Sequence, residues 1–254
     1  MKQEFIYFCN ALSYFSRIPV SRELDYSETN LSRAFRYLPL VGILTASLCG
    51  LFFVLLSLIF PKAIAVVGML ALMLLLTGCM HEDGFCDFCD GFGAGTSQEH
   101  ILRIMKDSHI GVYGVLGLIV IFAMKFFAFM TIPTPYIPMV FIAAHAISRA
   151  YAVAMVRFSR YARKEESKSQ HTRLGVDLKT FAMSVTIGLM PLLFLPFAFS
   201  LWYLPFSIAL FLLFKAYLHK KINGFTGDTL GALQQLTETL FYLIFLASHA
   251  SFVS

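Results

Sequence analysis

The chain has 254 residues, of which 58% are hydrophobic and only 14% are charged, and its mean hydropathy is +0.72. Water-soluble domains do not have such a composition, so we expect an all-α, polytopic membrane bundle that forms a single domain over residues 1–254. The five cysteines are an odd number without a pairing pattern, which excludes a disulfide-stabilised secreted scaffold.

The first element along the chain is a short amphipathic segment, residues 5–20. It is too short, too polar and too aromatic to cross a bilayer, and it lacks a signal-peptide cleavage site. We therefore expect an N-terminal helix that lies at the membrane interface. Apolar runs of roughly the 20 residues that cross a hydrocarbon core follow it. The sequence predicts about seven membrane-spanning helices, over residues 37–60, 64–80, 110–132, 136–156, 181–199, 202–219 and 236–253.

Charge is distributed unevenly between the two sides that seven spans define. The segments 1–36, 81–109, 157–180 and 220–235 lie on one side and carry most of the Lys and Arg residues. By the positive-inside rule this side is the cytoplasm, which predicts a protein of the cytoplasmic (inner) membrane. The opposite side has short connections with Lys62 as their only charge. A receptor or an extracellular enzyme is therefore excluded, and we expect the active site to face the cytoplasm.

An acidic cluster follows the second apolar run, in the sequence HEDGFCDFCDG at residues 81–91. At about 100° per residue, Asp83, Asp87 and Asp90 fall within about 60° of one helical face. Carboxylates this close repel one another and need a counter-charge beside a membrane, which a divalent cation would supply. Carboxylate ligands favour Mg²⁺ or Mn²⁺. Glu82 lies about 100° away on the helix, and we expect it to be a bystander.

Other interpretations of this cluster remain open from the residues alone. The acids could form a solvated helix end without a metal. An EF-hand is disfavoured because Asp83-Gly84 breaks the alternation of its ligands. Cys86 and Cys89 have the spacing of a zinc or redox pair, but the second thiol pair of such a site is missing.

Two further polar segments come just before apolar runs. Lys106, Asp107 and His109 precede the third run, where they suit a phosphate ligand or mark an ordinary helix start. A Thr-Gly-Asp motif that ends at Asp228 precedes the last run. This motif either caps a helix or supplies another contact to a metal or a phosphate.

Cations also occur in a loop and inside two spans. The loop 156–173 is rich in Lys and Arg, which favours phosphate binding and contact with anionic membrane lipid equally. Lys125 and Arg149 lie deep in apolar runs and should face the bundle interior or reach toward its ends. The sequence indicates no partner for Lys125.

The acidic segment resembles the His-x-Asp-Gly-Leu-x-Asp-x-x-Asp signature of the cobalamin synthase family, the adenosylcobinamide-GDP ribazoletransferases. Further segments are similar to this family in order and spacing, so the resemblance covers nearly the whole chain: 11–20, 36–44, 103–118, 148–163 and 224–238. Phe85 and Cys86 stand where the family has leucine and often alanine, which weakens a functional role for the Cys-x-x-Cys pair. The residues KEESKSQ after Arg163 also depart from the family pattern.

The resemblance implies a phosphoryl-group transfer at the membrane. The substrates would be adenosylcobinamide-GDP and α-ribazole or α-ribazole 5′-phosphate, the released product GMP and the cofactor Mg²⁺. We expect membrane lipid around the chain, no nucleic-acid partner, and association with further copies or with other enzymes of the cobalamin pathway.

The resemblance also implies which acids act in the reaction. Asp83, Asp87 and Asp90 would hold Mg²⁺ on the diphosphate. One of these acids, with Asp83 and Asp87 as the main candidates, or Asp228 would accept the proton of the attacking hydroxyl.

The remaining implied roles concern phosphate binding and orientation. Lys106, Arg163 and Arg17 would bind substrate phosphates. His81 and Asp107 would orient the ligands and carboxylates through hydrogen bonds, although His81 could equally serve only as a cap or a packing residue.

Two other classes of protein have partly similar features. A CDP-alcohol phosphotransferase also uses aspartates on membrane helices, but here Met80 stands where that family has its first aspartate. A divalent-cation channel or carrier would need acids near the membrane midplane and a polar path outward, and the outer side is featureless.

Overall fold

The computed structural model describes residues 2–20, 24–163 and 175–253. These residues form helices joined by short connections, with a single strand-like bridge between Tyr161 and Phe225. The expected all-α membrane bundle is therefore confirmed. The helices are α1 (Lys2–Phe15), α2 (Glu28–Ala34), α3 (Leu38–Ser57), α4 (Lys62–Thr77), α5 (Met80–Ala94), α6 (Gln98–Ile104), α7 (Val112–Thr131), α8 (Ile137–Phe158), α9 (Leu178–Leu189), α10 (Phe197–Ile222) and α11 (Gly227–Val253).

Helices that are long and apolar enough to cross a membrane number five among the described residues, or six if the bent pair of α4 and α5 counts as one span. This count is lower than the seven predicted. The difference lies in the run 181–199, where α9 has only 12 residues and continues as a 3-10 turn, Met190–Phe194. Pro191 and Pro196 interrupt the regular helix there, because proline lacks the amide hydrogen that the helix needs.

The short α9 and its 3-10 turn nevertheless connect the two ends of the bundle. Near the start of α9, the Thr180 hydroxyl accepts a hydrogen bond of 3.0 Å from Arg36, which precedes α3. After the turn, Leu195 packs in an apolar cluster with Phe53, at the end of α3, and Ile132, which follows α7. Successive long helices thus run in opposite directions, and α3, α7, α9 and α11 all start at the same end of the bundle.

A sharp bend of 90° separates α4 from α5. Gly78 and Cys79 both adopt left-handed backbone conformations, with φ angles of 63° and 59°. Glycine is the usual residue for such a conformation, so Gly78 marks the end of α4. The Arg17 side chain covers Gly78, and its backbone N–H donates to the Leu76 carbonyl at 2.7 Å. α5 runs unbroken through Gly84, Gly91 and Gly93 and ends before Gly95.

The bundle core contains a buried group of charged side chains. Lys125 on α7 donates to Glu238 on α11 at 2.9 Å, and both side chains are almost fully buried. The other oxygen of Glu238 accepts from Ser148 at 3.1 Å and lies 3.0 Å from the His145 ring and 3.6 Å from Arg149. Lys125 and Arg149 therefore face the interior as expected, and Glu238 is the partner that the sequence did not indicate.

We expect Glu238→Gln to destabilise the bundle, because it removes the direct ion-pair partner of the buried Lys125 and Arg149. Breaking a buried ion pair from one side costs about 3–5 kcal/mol. Thermal unfolding of the detergent-solubilised protein measures the effect as a lower midpoint. The matched control is Lys125→Met combined with Glu238→Gln, which should lose less stability than the sum of the two single variants. Additive losses would show that the two side chains do not act as a pair.

Candidate active site

The site lies where α5 and α11 cross, and Gly84 contacts Gly231 at this crossing. A Cβ atom added to Gly84 would lie 2.9 Å from the Cα atom of Asp228. One added to Gly231 would lie 2.8 Å from the His81 carbonyl oxygen. The absence of both side chains lets the two backbones approach closely. This contact brings Asp228, in the first turn of α11, against the helix that carries the acidic motif.

Three acids lie near this crossing: Asp83, Asp87 and Asp228. Asp83 is exposed and Asp87 is half-buried on α5, and the charges of both Asp83 and Asp228 act on Asp87. Asp228 pairs with Arg163, whereas neither α5 acid forms an ion pair with the described residues. Carboxylate oxygens with this excess of negative charge fit a hard divalent cation. Within the described ranges, however, no three acidic, histidine or cysteine side chains are already gathered as a metal site.

Asp90, the third acid of the predicted stripe, contacts another helix. It is buried, and its two carboxylate oxygens accept hydrogen bonds from the backbone N–H groups of Gly111 at 2.7 Å and Gly114 at 2.9 Å. Asp90 thus caps the first turn of α7, whose amides lack partners within the helix. A Cβ atom at either glycine would collide with this carboxylate, so the glycines make the cap possible. The structure turns Asp90 away from the other acids.

Arg163 and Asp228 form the central ion pair of the site. The guanidinium donates to the Asp228 carboxylate at 2.8 Å and to the Met105 carbonyl at 3.3 Å. The bridge between the chain before Arg163 and the chain before α11 fixes this approach, with a hydrogen bond of 2.8 Å from the Ala162 N–H to the Phe225 carbonyl. Arg163 is therefore held by the contacts of its side chain with Asp228 and Met105 and by the backbone bridge that precedes it.

Thr226 and Asp228 of the Thr-Gly-Asp motif have different roles. The Thr226 hydroxyl accepts from the Thr229 N–H at 3.3 Å, so Thr226 provides the helix cap that the motif was expected to offer. The same hydroxyl donates to the Asp228 carboxylate at 3.2 Å. Asp228 is left to face Arg163 and the α5 acids.

The predicted phosphate-binding cations divide into two places. Lys106 and Arg163 line one open cleft of about 740 Å³ beside α6, together with Arg103, which sequence reasoning did not single out. Arg17 lies instead against Gly78 at the bend between α4 and α5, and it does not line this cleft. The structure therefore supports two of the three predicted cations as neighbours.

His81 and Asp107 occupy different surroundings. His81 is buried and lines a cavity beside Asp83 and Asp228. Asp107 lies in the exposed segment before α7, where its carboxylate is 2.6 Å from the His109 ring. This hydrogen bond lowers the pKa of Asp107 and raises the pKa of His109. Asp107 therefore pairs with its own loop and contacts none of the acids at the crossing.

Glu82, expected to be a bystander, is buried. Its carboxylate accepts a hydrogen bond of 2.8 Å from the Gln235 side chain on α11. Gln235 in turn accepts from Lys125, so Glu82 connects the site to the buried ionic group in the core. The partner lies 153 positions along the chain, and no local sequence pattern identifies it.

Cys86 and Cys89 serve the packing of α5 against α7. Both are free thiols, and they lie where a side chain on Gly114 or Gly117 would collide with their sulfur atoms. The resemblance to a zinc or redox pair is therefore superficial.

We expect Asp90→Ala to lower the unfolding midpoint of the detergent-solubilised protein. The change removes the cap of α7 and leaves two N–H groups without partners, which costs about 1–3 kcal/mol. Asp107→Ala is the matched control, since it removes an exposed acid from the neighbouring segment and should leave the midpoint unchanged. Equal midpoints for the two variants would contradict the capping role of Asp90.

The apolar helical bundle has acids, the Arg163–Asp228 ion pair and a basic cleft at one end. This arrangement is typical of a membrane-embedded enzyme that acts on an anionic substrate. The family model described as cobalamin-5-phosphate synthase matches residues 7–246. The chain belongs to this family and is a transferase of cobalamin biosynthesis, which confirms the resemblance noted in its sequence.

Relatives from several bacteria are similar over nearly their whole length and are named adenosylcobinamide-GDP ribazoletransferase. The relative from Vibrio parahaemolyticus is 39% identical over 242 residues, which cover 94% of this chain and 91% of the relative. The relative from Leptospira interrogans is 36% identical over 255 residues, 96% of each chain. The relative from Shewanella frigidimarina is 37% identical over 244 residues, 93% of this chain and 92% of the relative. No solved structure matches the chain.

Proposed function

We propose that this site joins α-ribazole, or its 5′-phosphate, to adenosylcobinamide-GDP and releases GMP. The product would be adenosylcobalamin, or its 5′-phosphate. The observation that carries the proposal is the ion pair of 2.8 Å between Arg163 and Asp228. It stands where the acidic face of α5 meets the basic cleft beside α6, in a chain whose relatives carry the name of this activity.

The reaction requires one bond to form and one to break at the same phosphorus atom. A ribose hydroxyl of ribazole attacks the phosphorus of the cobinamide phosphate, and the bond from this phosphorus to the bridging oxygen of the diphosphate breaks. GMP leaves with the bonding electrons. The attacking hydroxyl loses its proton to a carboxylate, and in such displacements the protein contributes mainly positioning and charge stabilisation.

The residues at the crossing can divide proton transfer and phosphate binding between them. Asp228 is held by Arg163 and Thr226, and these contacts would keep its carboxylate beside the reacting groups. Asp83 is exposed and has no ion-pair partner among the described residues, so one of its two oxygens could take the proton while the other holds the metal. Arg163 would bind the phosphate oxygens with guanidinium donors that suit phosphate geometry.

Mg²⁺ is the proposed cofactor, and Asp83 and Asp87 are the residues that would hold it. When bound, the ion would neutralise charge on the diphosphate and on the leaving phosphate. Asp90 is a weaker candidate for a Mg²⁺ ligand, because both of its oxygens already accept hydrogen bonds from the amides of α7.

The proposed orientation places this end of the bundle at the cytoplasmic face of the inner membrane. Exposed basic residues cluster at the ends of α8 and α10, beside the site, which agrees with the positive-inside rule. These residues are Arg157, Arg160, Lys220 and Lys221.

Neutralising single acids at the crossing should strongly reduce turnover. We expect Asp83→Asn, Asp87→Asn and Asp228→Asn each to lower GMP release from adenosylcobinamide-GDP and α-ribazole by about 10²-fold or more, the usual contribution of a general base or an essential charge. The rates are measured on the full chain in lipid nanodiscs with Mg²⁺. Glu28→Gln, at an exposed position on α2, is the matched control and should keep the wild-type rate. Full activity of Asp228→Asn would refute its proposed place in the reaction.

A further inference from the structure

A small cavity lies against two of the acids, Asp83 and Asp228. Its volume is about 280 Å³. Aromatic and aliphatic side chains from several helices form most of its wall, and polar groups of α5 and α11 form the rest. The apolar part includes Tyr14, Phe15, Phe35, Leu38, Ala152 and Leu230. Asp83, Asp228, His81 and Gln234 form the polar part, and none of the described residues in the cavity wall is a lysine or an arginine.

Two of the polar groups in this wall have capacity for hydrogen bonds that the protein leaves unused. His81 is only 7% exposed, and the described part of the chain provides no hydrogen-bond partner for its ring. Gln234 is 2% exposed, and its amide nitrogen donates to Glu238 at 3.1 Å, while its amide oxygen has no partner among the described residues. Buried polar side chains are normally paired, so a donor and an acceptor are available to a ligand in the cavity.

The open cleft has the opposite character. It measures about 740 Å³, and its wall contains Arg103, Lys106 and Arg163, with Glu99 as the acid. Three cations in one cleft favour a ligand that carries phosphates. Arg163 belongs to this cleft and bonds to Asp228, which belongs to the cavity. The two spaces therefore adjoin at this ion pair.

We propose that the two substrates enter from opposite sides of the Arg163–Asp228 pair. The cavity takes the aromatic nucleoside acceptor, ribazole, and the cleft takes the guanosine diphosphate part of the donor. The assignment rests on the proposed function. The apolar wall holds the benzimidazole base, and His81 and Gln234 bind hydroxyls of the ribose.

Size and charge both support this division. The cavity is close to the lower end of the roughly 300–1,000 Å³ that is usual for small-molecule sites. A benzimidazole nucleoside fits such a volume, whereas a corrinoid is several times larger. Two carboxylates in the cavity wall disfavour a diphosphate there, and the cations of the cleft favour it. The ribose hydroxyl and the diphosphate then meet at the acids.

The test separates the two subsites by substrate. Ala152→Leu adds bulk to the cavity wall, and Arg103→Gln combined with Lys106→Gln removes cations from the cleft. Matched controls are Ala154→Leu, on the same helix outside the cavity, and Lys220→Gln, an exposed cation outside the cleft. The KM values for ribazole and for adenosylcobinamide-GDP are measured from GMP release by the full chain in nanodiscs. Equilibrium dialysis with ribazole and with GDP measures binding without turnover.

We expect Ala152→Leu to raise the KM and the dissociation constant for ribazole by about tenfold or more and to leave those for the donor and GDP within about twofold. The double variant Arg103→Gln, Lys106→Gln should raise the KM for the donor and the dissociation constant for GDP by about tenfold or more, and should leave both constants for ribazole within about twofold. Free benzimidazole, added to the wild-type protein, should displace ribazole and leave GDP bound. This measurement needs no variant and stands even if Ala152→Leu fails to fold.

Each other outcome has a distinct meaning. If Ala152→Leu weakens GDP, or benzimidazole displaces GDP, the cavity holds part of the donor and the assignment is wrong. If benzimidazole displaces neither ligand, the cavity does not bind the acceptor base. If the wild-type protein binds both ligands at separate subsites but releases no GMP, the proposed function fails while the subsite assignment stands.

Discussion

At the crossing of α5 and α11, Gly84 and Gly231 face each other with no side chain between the two backbones. Any larger residue at either position would separate the helices and move Asp228 away from the α5 acids. Close approach through small residues is the usual way in which membrane helices pack, because lipid offers no hydrophobic gain for association. The chemistry of the site therefore depends on a packing contact.

The same contact organises the polar interior of the bundle. Asp228, Gly231, Gln235 and Glu238 recur on α11 at intervals of three and four residues, which places them on one helical face. This face holds Asp228 at its start, the close contact one turn later, and the partners of Glu82 and Lys125 beyond it. A single helix thus links the surface site to the buried ion pairs, and a shift of α11 would disturb both.

Much of the fold could be predicted from hydropathy, since most apolar runs became helices near their expected positions. Prolines after α9 shortened the fifth run, and Arg17 covers the bend at Gly78 and Cys79, a contact that no local pattern reveals. Spacing identified the acidic face of α5 but not the use of Asp90, because its partners lie 21 and 24 positions away. The partners of Glu82 and Lys125 are separated from them by more than 100 positions, and only tertiary structure brings them together.

The cap that Asp90 forms on α7 also restrains the segment that carries the basic cleft. Residues 95–111 leave α5 and return to it, because Gly95 donates to Gly91 and Gly111 donates to Asp90. Between these points, the Gln98 side chain bonds to the Ile222 carbonyl at the end of α10. Arg103 and Lys106 therefore lie on a segment that is bonded to α5 at both of its ends and to α10 between them. A phosphate bound by these cations would be held beside the carboxylates at a high effective concentration, with little freedom left to lose when the reaction begins.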